Sequence, residues 1–535
     1  MNNRRNYIKN TSIFWSVFIS LMVGCIKANS QNEELPNALK SVLEITLNPK
    51  ETIQTIHNFG ASDAWATQTV GANWPVAIKE KIATLLFSSA NKADGSPEGI
   101  GLTAWRFNIG AGSAEQGEDS QIESEWRRSE SFLNSDGTYN WNKQAGQVWF
   151  LEKAKTLGVK TFVGFVNSPP VFFTKNEKAW SDDGKSSNLK EENYTKYAIF
   201  LSEVVNGVQQ KTGITFDYIS PFNEPQWEWK CCKQEGSPWN NEELFKAIKA
   251  IDASFQKNKV SSKIEIPETA HIEYMYSEDK RPESRSNQIA YFFDENSPGY
   301  VGNLNSVAHK VAGHSYFTTW DKNALINHRK ALDEKIKTVD PSLEYWMSEY
   351  CVLEDNEVIK GSGRDLGIAS ALYIARVIHS DLVIANASAW HWWLAVSPYD
   401  YKDGLIYIDD APNGGNYYDS KMLWALGHYS RFVRPEMKRM VTSRSDGLSL
   451  MESIDGILPS AYASDQEIVV VFVNQLKQAQ EIKITGVPKE FKTMEIYQTT
   501  SDKEVNLKKT LTKNTNETFT LPKQSLMTCV LKKGS

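Results

Sequence analysis

Short apolar or β-branched runs alternate with longer amphipathic stretches from about residue 55 to residue 430. Thr103–Ile109 predicts a strand and Lys143–Leu157 a helix, followed by a strand at Thr161–Val166 and a helix at Tyr194–Gln209. Further strands are predicted at Phe216–Pro221, Lys263–Ile266, Ala312–Tyr316, Tyr345–Glu349 and Ala387–Trp392. Helices are predicted between them at Glu242–Phe255, Ala324–Lys335 and Leu366–Ala385. Strands alternating with helices build a parallel sheet covered by helices. So many units in one stretch suit an α/β fold of the closed (β/α)8 TIM-barrel type better than an open doubly wound sheet. No GxGxxG follows an early strand, which removes the usual support for a dinucleotide fold.

The texture changes after about Arg431. Glu467–Val473, Gln480–Ile484, Thr493–Gln498 and Ser525–Leu531 are short, strand-like and separated by polar turns. They predict a small all-β domain of β-sandwich type over 431–535, attached to a barrel over 57–430. An early strand, Leu43–Leu47, precedes the first barrel segment without a helix between, and 41–56 is expected to join the β-domain.

The N-terminus carries a processing pattern. Arg4, Arg5 and Lys9 precede an apolar stretch that ends in Met22-Val23-Gly24-Cys25. A charged start, a short apolar segment and a small residue before a cysteine make a secretory signal, too short for a comfortable membrane span. Cys25 after Gly24 is similar to a bacterial lipobox. Residues 1–24 are then expected to leave and Cys25 to carry lipid, with 25–40 as a polar tether. That makes an outer-membrane lipoprotein of a Gram-negative bacterium, touching the membrane only through its anchor. Lys27, in place of an acidic run after Cys25, favours the periplasmic face over the cell surface.

Composition narrows the partners. A formal charge of −6 over 535 residues, with no long basic run, makes nucleic acid a poor candidate. The 17 Trp, 21 Tyr and 23 Phe mostly serve a large core, but Trp is also what sugar clefts use. No CxxC pair or His-Cys cluster appears, so neither a metal nor a cofactor is expected. Besides Cys25 the cysteines are Cys231, Cys232, Cys351 and Cys529. A bridge from Cys231 or Cys232 to Cys351, or free buried thiols, both stay open.

Two glutamates stand out. In Ile219-Ser220-Pro221-Phe222-Asn223-Glu224-Pro225 a strand-like run ends in Asn-Glu-Pro, which places a carboxyl at the C-terminal mouth of a barrel, where barrel enzymes keep their chemistry. Tyr345-Trp346-Met347-Ser348-Glu349-Tyr350 delivers a second carboxyl three βα units later. A retaining glycosidase needs two carboxyls about 5 Å apart, one protonated and one charged.

With these motifs the chain resembles glycoside hydrolase family 30, within the clan of retaining eight-fold barrels that carry the acid/base on strand four and the nucleophile on strand seven. The likeness extends to Asn58-Phe59-Gly60-Ala61-Ser62-Asp63-Ala64-Trp65, Trp105-Arg106-Phe107-Asn108-Ile109-Gly110, Ser168-Pro169-Pro170, Gly313-His314-Ser315-Tyr316 and Trp390-His391-Trp392-Trp393. It implies Glu224 as acid/base and Glu349 as nucleophile. By the same resemblance Asn223 meets the sugar 2-hydroxyl, Arg106 lies under the nucleophile, Tyr316 positions it and His314 lines the same wall. Trp392 is the implied sugar platform, with Trp390 and Trp393 pointing elsewhere if the strand is regular. Trp65, Asp63 and Asn108 are further expected sugar contacts. Where several relatives have Trp before the Ser-Pro of strand three, this chain has Asn167, which looks more like the endo-β-1,6-galactanase branch. The expected substrate is therefore a β-linked galactan of plant arabinogalactan, cut by a monomer. A xylanase, a β-1,6-glucanase or an exo-acting β-glycosidase of the same family are alternatives, as is a non-catalytic lipid-anchored glycan-binding protein.

Overall fold

A computed structural model describes residues 42–278 and 283–534; Cys25, the signal segment and the tether lie outside the described residues. The first strand is β1 (Leu43–Thr55). Then come β2 (Asn58–Ser62), β3 (Ala104–Asn108), β4 (Thr161–Phe165), β5 (Tyr218–Ser220), β6 (Lys263–Ile264) and β7 (Pro267–Thr269). They are followed by β8 (Lys310–His314), β9 (Glu344–Tyr350), β10 (Ala389–Ser397), β11 (Gly404–Ile408) and β12 (Tyr417–Asp419). The remaining strands are β13 (Lys438–Arg444), β14 (Ile457–Ala463), β15 (Glu467–Asn474), β16 (Gln480–Thr485), β17 (Phe491–Thr499), β18 (Lys508–Asn514), β19 (Phe519–Leu521) and β20 (Ser525–Lys533).

Among the described residues these strands form two sheets. One is parallel in the order β6-β5-β4-β3-β2-β10-β9-β8-β7, extended from β10 by β11 and β12. Its two ends, β6 and β7, are consecutive pieces of chain separated only by Glu265 and Ile266, so the sheet curls back towards itself. Every residue of β2, β3, β4 and β8 is buried, as strands covered on both faces must be. The outer cover is helical. Asn241–Asn258 shows why such a stretch folds as it does: Leu244, Ala247, Ile248, Ile251 and Phe255 fall on one face and are buried. Asn240 and Glu243 close its start with a capping box, each side chain accepting from the other's backbone N–H.

The second sheet has nine strands in the order β18-β17-β20-β15-β14-β13-β1-β16-β19. Here β1 does what the early apolar run predicted: it pairs antiparallel with β13 and parallel with β16. Both faces of this sheet are used. Ile468, Val470 and Phe472 of β15 pack in a core of the β-region itself, whereas Val469, Val471 and Val473 join the large core shared with the helices. That junction is also polar. His428, fully buried on helix Lys421–Ser430, is bonded through its two ring nitrogens to Thr528 (2.8 Å) and Thr499 (2.9 Å). Among the described residues no helix is long and apolar enough to cross a membrane.

Candidate active site

The parallel strands deliver their C-terminal ends to one side of the curled sheet. There, Asn223 and Glu224 follow β5, Glu349 ends β9, and Arg106, Glu268 and His314 come from β3, β7 and β8. Glu224 has φ +45°, a left-handed conformation that non-glycine residues seldom adopt outside sites that demand it. Three hydrogen bonds hold the backbone there. The Glu224 N–H donates to the Glu268 carbonyl (2.9 Å), and the Glu224 carbonyl accepts from the Trp227 N–H (3.1 Å) and the Trp229 indole (2.9 Å).

The two carboxyls approach closely. Oxygens of Glu224 and Glu349 and one ring nitrogen of His314 all lie within 4.8 Å of one another. Glu349 is held at both oxygens: Arg106 donates to Oε2 (2.8 Å) and the Tyr316 hydroxyl to Oε1 (3.1 Å). Glu224 Oε1 lies 3.0 Å from His314 Nδ1. Burial pushes the Glu224 carboxyl up to about 7; the Glu349 charge adds to the rise and His314 opposes it. One carboxyl thus keeps its proton near neutrality while the other is tied to a guanidinium, the division of labour two-carboxylate chemistry needs. Glu224, His314 and Glu349 are also close enough together to surround an ion. His314, however, has both ring nitrogens committed to carboxylates, at 3.0 Å to Glu224 and 2.9 Å to Glu268, and offers no lone pair when both donate.

A cleft of about 620 Å³ opens over these groups. Asn223, Glu224, Tyr316 and Glu349 form its floor, and Trp65, Trp227, Trp229 and Trp393 contribute aromatic wall. The carboxamide oxygen of Asn223 is buried and has no partner among the described residues, so it is available to a ligand hydroxyl. Trp65 meets Trp393 edge-on at 5.2 Å, and the Arg127 guanidinium lies over both Trp65 (5.4 Å) and Tyr399 (4.8 Å).

The other expected contacts sit deeper. Arg106 and His314 are fully buried beneath the carboxyls. Asp63 is not a sugar contact in this arrangement. Its side chain is fully buried and accepts from the Asn108 N–H (2.7 Å) and the Gln147 amide (3.0 Å), bracing the ends of β2 and β3. Burial raises its carboxyl to about 7. Asn108 bonds Ser129 (3.0 Å) and receives the Asn167 amide (3.3 Å); both asparagines lie behind the cleft surface, with the Asn167 oxygen unpartnered. The platform expected from Trp392 is displaced by one residue. The register of β10 with its neighbours shifts around Trp392, yet its side chains still alternate: His391 and Trp393 meet Trp346 and Phe165 on the inner face, whereas Trp390 and Trp392 lie together on the other. Trp392 is fully buried with its indole on the Asp403 carbonyl (2.6 Å), and Trp393 forms the wall.

Neither Cys231 nor Cys232 reaches Cys351. They are joined to each other, and Cys351 is a free buried thiol 3.9 Å from the Tyr316 hydroxyl. The most consequential residue missed by the sequence reading is Glu268. A carboxylate in Ile264-Glu265-Ile266-Pro267-Glu268 was a signal, because an acid in an apolar strand must face something. Arg127, Tyr399 and Asp403 come from irregular segments with no such pattern.

Comparisons with known proteins agree with this geometry. The profile described as O-Glycosyl hydrolase family 30 matches residues 42–407. An endo-beta-1,6-galactanase of Hypocrea rufa is 28% identical over 234 residues, which are 41% of this chain and 47% of that protein; the match thus spans about half of the relative's length. The crystal structure of a conserved exported protein from Bacteroides fragilis is similar, with TM-score 0.86 and 34% identity over 92% of this chain and 100% of that one. The catalytic domain of a GH30 xylanase C from Talaromyces cellulolyticus shares the fold, with TM-score 0.65 and 21% identity over 92% of this chain and 100% of its own. The curled parallel core, the paired carboxyls at its mouth and a profile match over most of the chain lead to one conclusion: this protein belongs to O-glycosyl hydrolase family 30.

Proposed function

We propose that this protein is a retaining glycoside hydrolase that cleaves β-linked galactan, acting within β-1,6-linked side chains. The observation that carries the reaction type is the approach of the two carboxyls to within 4.8 Å between oxygens, which suits the separation of about 5–5.5 Å in retaining enzymes and falls short of the separation of about 6.5–9.5 Å in inverting ones. In this reading Glu224 protonates the departing oxygen while Glu349 attacks the anomeric carbon. Glu224 then takes a proton from the water that releases the sugar. Asn223 receives the 2-hydroxyl, and Arg106 and Tyr316 keep Glu349 aimed and charged. The match to an endo-beta-1,6-galactanase supports the choice of sugar. So does Asn167, which leaves more room near the site than an indole would. The eleven-stranded sheet, with β6 and β7 as its ends, supports an eight-fold barrel over 57–430 with a β-sandwich after it. We further propose, from residues 1–40, that the protein is anchored by lipid at Cys25 and faces the periplasm.

Reducing-end release from β-1,6-galactan, xylan and β-1,6-glucan tests this directly. Release from the galactan by the parent, falling about 10³-fold or more in Glu224→Gln and Glu349→Gln, is the expected result. Preference for xylan or glucan would move the substrate within the family. No release from any β-glycan would instead favour a glycan-binding role.

A further inference from the structure

Glu268 is fully buried, does not line the cleft and has no part in the reaction described above. Its Oε2 accepts from the Ser348 hydroxyl (2.8 Å) and lies 2.9 Å from His314 Nε2, with an Arg106 nitrogen at 3.6 Å. The opposite nitrogen of His314, Nδ1, is 3.0 Å from Glu224 and 3.6 Å from Glu349. An imidazole between two carboxyl groups satisfies both in only two ways. It is doubly protonated, or it is neutral and one carboxyl carries the proton.

We infer that Glu268 is a positioning residue for Glu224: it holds His314 as a double N–H donor, so that Nδ1–H fixes the acid/base carboxyl against the charge of Glu349. This rests on the reading of Glu224 as acid/base. The groups around His314 favour this form. Glu224 reaches it from the segment after β5, Glu268 from β7 and Glu349 from the end of β9, so three carboxyls face one ring. Arg106, from β3, pairs with Glu268 and Glu349 and not with the ring. The Tyr316 ring stands edge-on at 5.7 Å with its hydroxyl on Glu349. Behind Glu268, Glu265 is paired with Lys310. Burial works against a charge on Glu268, yet the His314 N–H and Arg106 hold its carboxyl well below the usual range. Burial likewise works against a charged His314, and the carboxyls around it outweigh this and push the ring up to about 10.

The full chain with Glu268→Gln tests the inference. The amide keeps an acceptor for Nε2–H and removes the charge. His314 then gives up a proton, and Glu224 loses the cation that favours its ionised form. The alkaline limb of kcat/KM is expected to move up by about one pH unit, and Glu268→Asp to bring it back. A fall in rate with an unmoved limb would mean a merely structural role and overturn the inference. Nitrogen-15 spectra of histidine-labelled protein, with His314 assigned through His314→Gln, give a second readout. Two protonated ring nitrogens are expected at pH 7 in the parent and one in Glu268→Gln. A neutral ring in the parent overturns the inference even where Glu268→Gln fails to fold. This readout needs no substrate, so it separates this inference from the hydrolase reading.

Discussion

Arg106 keeps a charge with no exposure to water, and that is sustainable only because Glu349 and Glu268 are both within 4 Å of it. A buried cation between two carboxylates fixes their positions more than it stabilises the fold, since desolvation offsets most of the attraction. The same group of charges should write itself into the pH dependence of stability. His314, raised from 6.5 to about 10, contributes stability that is fully present below pH 6.5 and is lost as pH rises through 10. Glu224, raised from 4.5 to about 7, acts in the same sense over a lower window: the folded state binds its proton more tightly, so stability falls as pH climbs from 4.5 through 7. Chemical denaturation at pH 6 and pH 9.5 should therefore show a marked loss in the parent and a smaller one in His314→Gln. Equal losses in both proteins would show that the ring is neutral in the folded state.

At the level of elements, the site depends on which face of each strand meets the cleft. Alternation along β10 turns Trp393 towards the cleft and Trp392 away from it, so the indole implied by the family resemblance is not the one that lines the wall. Helix existence was legible because amphipathic spacing is a local property: the stretch predicted at Glu242–Phe255 is Asn241–Asn258 in the structure. Glu224 and Glu349 were legible because a carboxyl at the end of an apolar run is a local anomaly. Glu268 is hidden in the sequence because the apolar run ends at Ile266, whereas the strand resumes at Pro267. The short connection between β10 and β11 carries no periodicity, so Tyr399 and Asp403 had no signal. Close helix contact is another element-level constraint. Gly146, at the start of helix Ala145–Thr156, sits against helix Ala66–Asn73, and a Cβ there would collide with the Gln68 carbonyl oxygen. Gly146→Ala should lower stability by about 1–3 kcal/mol in urea titrations and, by shifting the helix that follows Trp65, raise KM. An unchanged urea midpoint would mean that the two helices separate at no cost.

Across the whole molecule, the curled sheet and the nine-stranded sheet share one core, and both ring nitrogens of His428 are bonded to threonines of the β-region. Heating should therefore give a single cooperative transition, with activity and sheet signal lost together; two separated calorimetric peaks would contradict that. Topology adds an ordering in time. Leu43–Thr55 occupies an interior position in the second sheet, with Ile45 opposite Arg444 and Leu43 beside Ile482. A ribosome makes this strand before the curled sheet and its partners after it. The strand's hydrogen-bonding partners in the sheet are missing until almost the entire chain has emerged. Closing such a distant pairing is slow, and an unpaired apolar strand is where a nascent chain aggregates. Among the earliest strands to be made, it is among the last to find its neighbours, and the β-region acts as a seal set only when the chain is nearly complete.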